Sequence, residues 1–188
     1  MEAILKKEII TNKTLSRIIG VFVFINLTSF AAFVRIPLPF TPVPITLQTL
    51  FVLLSAACLG SKLGSISQLG YILLGILGLP IFAGAGSGLF YLFGPTGGYL
   101  FGFVFSTIFV GNFIKYSKNN LFFTFVILSL GNLILLSSGI IWLKVLLGYR
   151  LSELLFIGFI PFIPGDLLKV LIASILYLKL KPRLKEIF

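Results

Sequence analysis

The sequence predicts an all-α integral membrane protein with six transmembrane helices and a glycine-rich external loop between the third and the fourth. Hydrophobic residues make up 58% of the 188 residues, and charged residues only 11%. The mean hydropathy is +1.14, whereas a soluble domain typically carries about 25% charged residues. Spans of roughly 20 apolar residues with short connections fit about six times into this length. We therefore predict a single membrane domain over residues 1–188.

Six apolar segments account for the predicted spans. They lie near residues 18–34, 45–59, 63–79, 97–114, 121–147 and 154–178. An even number of spans places both ends of the chain on the same side of the membrane. We expect residues 1–17 and 179–188 to form basic ends on that side, and the first fifteen residues show no signal-peptide pattern.

The basic residues predict which side faces the cytoplasm. The side that holds the two ends carries eleven of them: Lys6, Lys7, Lys13, Arg17, Lys62, Lys115, Lys118, Lys179, Lys181, Arg183 and Lys185. The opposite side carries only Arg35, Lys144 and Arg150. By the positive-inside rule, we predict a multi-pass protein of the cell membrane with both termini cytoplasmic. This topology accounts for the net charge of +10. The basic residues are not interleaved with the aromatic residues that a nucleic-acid surface uses for base stacking, so no nucleic-acid partner is predicted.

Several chemistries are excluded by residues that the chain does not have. It has no histidine, which removes the usual catalytic triad, imidazole zinc sites and histidine proton relays. Of its five carboxylates, three lie in the tails and Glu153 lies at a predicted membrane interface. The sequence therefore offers no carboxylate pair for acid-base catalysis and no carboxylate cluster for a metal. The sequence predicts a protein that is not an enzyme and uses no cofactor.

Two connections on the predicted external side are unusual. Segment 35–44 (RIPLPFTPVP) has four prolines and cannot be a helix interior, so it is either a semi-rigid cap over a cavity or a plain connector. Segment 80–98 is rich in glycine yet apolar, which favours a segment that dips into the membrane or covers a pocket. Gly84, Gly86 and Gly88 lack the following lysine of a nucleotide phosphate loop. We expect these glycines, Gly86 among them, to let backbone N–H groups approach a ligand or to let the chain turn.

The strongest candidate for a binding site is the pair Asp166 and Lys169 in segment 160–169 (IPFIPGDLLK). Charged residues at membrane depth are costly and indicate a functional site. Pro164 suits the first turn of a helix, which places Asp166 near a helix N-terminus and Lys169 on the same face. The pair could bind a small ligand that has both N–H groups and an oxygen or carboxylate. The alternative is an internal salt bridge that joins two helices.

Amide side chains within the spans supply further candidates. Gln48 lies just inside the external end of its span, at the depth expected for Asp166, and is the best candidate for a third ligand contact. Asn26 and Asn132 lie nearer to the middle of their spans. For these two, hydrogen bonding between helices is favoured over ligand contact, although Asn26 is retained as a candidate binding residue.

Four motifs in order resemble one family. They are VPITLQTLFVLL at 43–54, GLPIFA at 78–83, GPTGGYL at 94–100 and PFIPGDLLK at 161–169. Together they resemble the BioY family, the biotin-specific substrate-binding (S) components of energy-coupling factor transporters. The resemblance implies a six-helix S component that binds biotin externally. It also implies docking on a transmembrane coupling protein that two ATPase subunits drive.

The resemblance also implies roles for individual residues. Asp166 and Lys169 match the binding pair of the family, and Gly97, Gly98 and Tyr99 match the segment that closes over biotin. Some members have a basic residue just after this segment that can meet the carboxylate of biotin, whereas this chain has Leu100. Lys169, Arg35 or loop amides are the remaining candidates for that contact. An S component for a different vitamin and a purely structural membrane subunit remain as alternatives.

Overall fold

The computed structural model describes residues 12–187, and side chains as far as residue 184. Residues 1–11 and 188, which belong to the two predicted basic ends, lie outside the described residues. The elements in chain order are α1 (Lys13–Phe33), β1 (Arg35–Ile36), β2 (Ile45–Thr46), α2 (Gln48–Ile76), α3 (Leu89–Leu92), α4 (Gly97–Phe113), a 3-10 turn (Ile114–Ser117), α5 (Leu121–Leu147), α6 (Leu151–Gly158), a second 3-10 turn (Ile160–Phe162) and α7 (Ile163–Ile187).

Polar residues mark where two of the long helices begin. The side chain of Asn12 accepts hydrogen bonds from the amides of Thr14 and Leu15 and caps α1. Asn120 caps α5 in the same way. Such caps supply acceptors for backbone N–H groups that have no partner inside the helix. Gly148 ends α5 with a φ of 68°, a conformation that glycine adopts without strain.

The long element α2 reverses direction at Gly60. Its backbone leaves the helical region only there, with φ 77° and ψ −179°. The side chains of Gln48 and Tyr71 form a 2.7 Å hydrogen bond, although a straight helix would separate them by about 34 Å. The Ser55 hydroxyl likewise accepts a hydrogen bond from Gln68. The two halves of α2 therefore run antiparallel and pack against each other.

Five helical segments in the described part of the chain are long and apolar enough to cross a membrane, where the sequence predicted six. They are Lys13–Phe33, Gln48–Ile76, Gly97–Ser117, Leu121–Leu147 and Leu151–Leu184. The predicted spans 45–59 and 63–79 both fall largely within the single element α2. The difference arises because helical geometry resumes directly after one glycine, so there is no loop to separate the halves.

The last predicted span, 154–178, is interrupted. Helix α6 ends at Gly158, and a 3-10 turn precedes the start of α7 at Ile163. Pro161 and Pro164 cause the break, because neither can donate the backbone hydrogen bond that a continuous helix requires. As the sequence predicts, Pro164 lies in the first turn of α7 and Asp166 follows it in that turn.

Helix α2 forms the centre of the bundle. It packs against α1, α4 and α7, while α5 packs against α4, α6 and α7. Small residues allow the closest approaches. A Cβ atom at Gly102 of α4 would lie 2.8 Å from the carbonyl oxygen of Leu135, and one at Gly111 would meet the backbone of Ser61. The N-terminal ends of α2, α4 and α7 meet at one end of the bundle, together with the short sheet.

Two connections cover that end. Segment 35–44 joins β1 to β2, which pair antiparallel with Arg35 opposite Thr46, so it is not helical, as the prolines predict. The segment between α2 and α4 holds the short helix α3 and an isolated bridge between Phe82 and Gly86. Phe82 is fully buried and stacks on Tyr91 with 4.7 Å between ring centroids. This segment is therefore packed onto the bundle by aromatic side chains.

Candidate substrate-binding site

Asp166 and Lys169 form a buried ion pair on the first two turns of α7. The ammonium Nζ of Lys169 lies 2.6 Å from Asp166 Oδ1, and the two residues are only 8% and 2% exposed. Lys169 also donates to the carbonyl oxygen of Thr46 and to the hydroxyl of Thr49, both at 2.9 Å. An ammonium group has three hydrogens, so all of its donors are engaged within the protein.

The carboxylate is held from a second side. Asn132 of α5 donates from Nδ2 to Asp166 Oδ2 at 3.0 Å, and the Thr49 hydroxyl lies 3.4 Å from Oδ1. The carboxylate of Asp166 thus accepts hydrogen bonds from three helices, α2, α5 and its own α7. Satisfied partners are what make a buried charge tolerable in a low-dielectric interior. The arrangement fixes one orientation of the carboxylate.

This polar cluster forms one wall of a cavity. The cavity has a volume of about 50 Å³. Beyond Asp166 and Lys169, the lining residues are Val43, Pro44, Thr46, Gln48, Thr49, Ala83, Tyr91, Thr96, Tyr99, Leu100, Phe103, Leu135, Leu136 and Phe162. Apolar walls with a few polar groups at one end are typical of small-molecule sites.

Gln48 lies in this cavity, as predicted. Its Nε2 donates to the hydroxyl of Tyr71, and its Oε1 accepts a hydrogen bond from Thr46 at 3.2 Å. The Tyr71 hydroxyl in turn donates to the carbonyl oxygen of Ile81, in the segment that follows α2. Gln48 is therefore held in place between the two halves of α2 and the covering segment.

Tyr99 also lines the cavity, but its glycine neighbours do not. The Tyr99 hydroxyl donates to the carbonyl oxygen of Gly158 at 2.7 Å, which joins α4 to the end of α6. A Cβ atom at Gly98 would lie 2.7 Å from the carbonyl oxygen of Ser138 and against Trp142. One at Gly97 would meet the carbonyl oxygen of Leu92. The two glycines serve close packing of α4 here.

The covering segment closes the cavity with Ala83, Tyr91 and Thr96. The Tyr91 hydroxyl donates to the carbonyl oxygen of Ala83, and burial raises the pKa of this phenol. A Cβ atom at Gly86 would meet the Tyr91 ring, so Gly86 allows that ring to pack. Gly86 does not itself line the cavity.

The structure does not bring Asn26 to the other candidates. Its side chain is exposed and donates to the carbonyl oxygen of Phe22 in its own helix. Asn132, the other amide near the middle of a span, bonds between helices as expected. The bond is to Asp166, which makes Asn132 part of the site.

Sequence reasoning missed three polar residues of the site, Thr46, Thr49 and Asn132. Hydroxyls within helices are weak indicators of a site because they often bond their own backbone. A usable signal was present, since both threonines flank Gln48 in the motif at 43–54. No such signal marks Asn132, because its partner depends on how α5 packs against α7. Among the described residues, no group of three or more Asp, Glu, His and Cys side chains could hold a metal.

Comparison with known proteins agrees with the sequence motifs. A family model described as the BioY family matches residues 6–186. The chain is 38% identical to the biotin transporter BioY of Thermotoga maritima, over 85% of this chain and 92% of that protein. It is 36% identical to a probable biotin transporter BioY of Pyrococcus horikoshii, over 83% of this chain and 90% of that protein.

A solved structure is similar as well. It is described as the S-component for biotin from an ECF-type ABC transporter. The two structures superpose over 91% of this chain and 93% of the other chain, with a TM-score of 0.86 and 28% sequence identity. These relatives are transporter components and not enzymes. The chain belongs to the BioY family, as the four sequence motifs predict.

Proposed function

We propose that this protein is the biotin-binding S component of an energy-coupling factor transporter, embedded in the membrane and specific for vitamin uptake. The observation that carries the proposal is the buried cluster of Asp166, Lys169, Asn132 and Gln48 at the end of an otherwise apolar cavity. The family and the similarity to a biotin S-component support the choice of ligand.

The chemistry of the cluster suits a cyclic urea. The carboxylate of Asp166 can accept from ureido N–H groups. The ammonium of Lys169 can donate to the ureido oxygen in exchange for one of its present acceptors, the Thr46 carbonyl or the Thr49 hydroxyl, while it keeps its bond to Asp166. Each charge-assisted hydrogen bond contributes roughly 1.5–3 kcal/mol. Phe103, Phe162 and Leu136 would cover the apolar rings of the ligand. In this function the protein needs no cofactor, and biotin is its cargo.

Six membrane crossings follow if each half of α2 is a span. The antiparallel halves put Gln48 and Tyr71 at the same end of the bundle, which a single crossing of α2 would not. We place the cavity at the external side and both termini in the cytoplasm, from the distribution of basic residues. Cysteines introduced at the exposed positions Lys62 and Lys144 should react with an impermeant thiol reagent from opposite sides of vesicles. Labelling from the same side would contradict this topology.

The proposed partners are a transmembrane coupling protein and two ATPase subunits. The described residues include no cluster of intramembrane carboxylates that could couple uptake to an ion, so energy is expected from these partners. Affinity purification from native membranes should recover an ATPase pair with the protein. Recovery of the protein alone would contradict this assembly.

Calorimetry tests the choice of ligand directly. Purified protein should bind biotin saturably, with one site per chain. Competition by riboflavin, thiamine and lipoate tests the alternative that the site takes another vitamin. Displacement of biotin by none of the three supports the proposal, and an absence of saturable biotin binding contradicts it.

A further inference from the structure

Among the described residues, those that line the cavity include no cation with a free donor for an anionic group of a ligand. All three ammonium donors of Lys169 are engaged by Asp166, Thr46 and Thr49. Leu100, which lines the cavity, is apolar and 4% exposed. A ligand whose urea is bound at Asp166 would therefore need another partner for a carboxylate at its far end.

Arg35 lies where such a partner would be needed. It belongs to a second cavity, of about 250 Å³, lined also by Pro42, Pro44, Ala83, Tyr91, Gly94, Pro95 and Thr96. Four of these residues, Pro44, Ala83, Tyr91 and Thr96, line the first cavity too. The second cavity is thus a vestibule that adjoins the first across shared walls.

The short sheet and the segment that contains Gly84 position Arg35 beside this vestibule. Arg35 pairs with Thr46 between β1 and β2, and the Thr46 carbonyl accepts from Lys169, so the two cations flank one short strand. Gly84 has a φ of +80°, and a Cβ atom there would lie 2.5 Å from Arg35 Nη1. A side chain at that position would displace the guanidinium, and the positive φ would strain it as well.

The charge of Arg35 has no carboxylate partner within residues 12–184. The carboxylates of this range are Glu153 and Asp166. Glu153 accepts from the amide of Arg150 at the start of α6, and Asp166 pairs with Lys169. A guanidinium has five donors in a planar fork that matches a carboxylate.

We propose that Arg35 is the residue that binds the carboxylate of the ligand and selects for an anionic side chain. The inference rests on the proposed function, since it assumes that the urea of biotin occupies the cluster around Asp166. The vestibule then holds the valerate chain, with its carboxylate against the guanidinium.

The test compares biotin with biotinamide, its neutral primary amide, on the purified full-length chain by calorimetry. Wild-type protein should bind biotin about tenfold to a hundredfold more tightly than biotinamide, the value of one charge-assisted bond. Arg35→Gln should weaken biotin by that factor and leave biotinamide unchanged. Arg35→Lys, which keeps a cation, should retain part of the preference. Lys144→Gln removes another exposed cation, one that lines neither cavity, and should change neither affinity.

Each other outcome has a defined meaning. Equal affinities of the wild-type protein for biotin and biotinamide would overturn the inference without any variant. If Arg35→Gln weakened biotin and biotinamide equally, the ratio of the two affinities would be unchanged. Arg35 would then have a structural role, and the inference would be overturned. Biotin binding by the wild-type protein without carboxylate preference refutes only the inference. An absence of binding to either ligand refutes the proposed function and the inference with it.

Discussion

The amide Nδ2 of Asn132 donates to Asp166 Oδ2 across 3.0 Å, which joins the middle of α5 to the first turn of α7. The opposite oxygen of the same carboxylate faces Lys169 and Thr49. The direction in which Asp166 presents its lone pairs is therefore set by two neighbouring helices as well as by its own. A change in either neighbour should alter binding even where it does not touch the ligand.

Asn132→Ala should weaken biotin binding by about 1–3 kcal/mol. It removes the donor that fixes the orientation of the Asp166 carboxylate, and a hydrogen bond to a charged group contributes about 1.5–3 kcal/mol. Calorimetric affinity is the measurement. Asn26→Ala is the matched control, because Asn26 is exposed and bonds only its own helix, and its effect should stay within about 0.5 kcal/mol. Equal losses in the two variants would contradict the role assigned to Asn132.

Asp166→Asn should weaken biotin binding by about 2 kcal/mol or more. The change replaces a charged acceptor by an amide that has one acceptor and two donors, and it leaves the ammonium of Lys169 without its counter-charge. Titration calorimetry of the purified variant measures the loss. Unchanged affinity would remove Asp166 from the site.

Exchange of the two charges separates a binding site from a structural salt bridge. Asp166→Lys combined with Lys169→Asp keeps one charge of each sign on the same face of α7. The ion pair could re-form, but the carboxylate would no longer lie opposite Asn132. We expect loss of biotin binding, whereas retained binding would support a purely structural pair.

Gly98→Ala should destabilise the fold by about 1–3 kcal/mol through overpacking. The added methyl group would meet the Ser138 carbonyl at 2.7 Å and the Trp142 side chain, so α4 and α5 would have to separate. Thermal unfolding in detergent measures the change. Gly70→Ala is the control, because its methyl group would meet only the flexible end of Ile25, at 2.8 Å. A stable Gly98→Ala protein that fails to bind biotin would instead favour the ligand-contact role predicted from the sequence.

Gly84→Ala should weaken biotin more than biotinamide, because its methyl group would displace the guanidinium of Arg35. Gly88→Ala separates this effect from backbone strain. Gly88 has a similar φ of +86°, but no atom lies within 4 Å of its added methyl group. Competition binding with both ligands measures the two affinities. A similar loss of biotin preference in both variants would attribute the effect to strain in the covering segment.

Local sequence rules were sufficient for the parts of the site that lie on one element. Helical spacing and Pro164 predicted that Asp166 and Lys169 share the first turns of one helix, and the structure places them there. Membrane depth predicted that Gln48 lies near them. The proline-rich connection was predicted to be non-helical, and the glycine-rich connection to dip into the membrane or to cover a pocket. Residues of both line the cavity.

Contacts between elements were beyond those rules. Asn26 and Asn132 have the same chemistry and similar depth, and only the rotation of each helix decides which one faces Asp166. Gly97 and Gly98 carry the family motif, yet their spacing does not reveal that Trp142 fills the space beside them. The reversal at Gly60 was predicted as a loop, because pattern rules assume that a helical hairpin needs several connecting residues.

That single-residue reversal has a mechanical consequence. The first half of α2 is continuous helix from Gln48 in the cavity wall to Leu59, a rigid rod of about 18 Å. At its far end, the backbone of Gly60 and Ser61 abuts Gly111 of α4. No flexible loop separates the two halves of α2. If a ligand moved Gln48 along the helix axis, Gly60 and its contact with Gly111 at the opposite end of the bundle would therefore move as well.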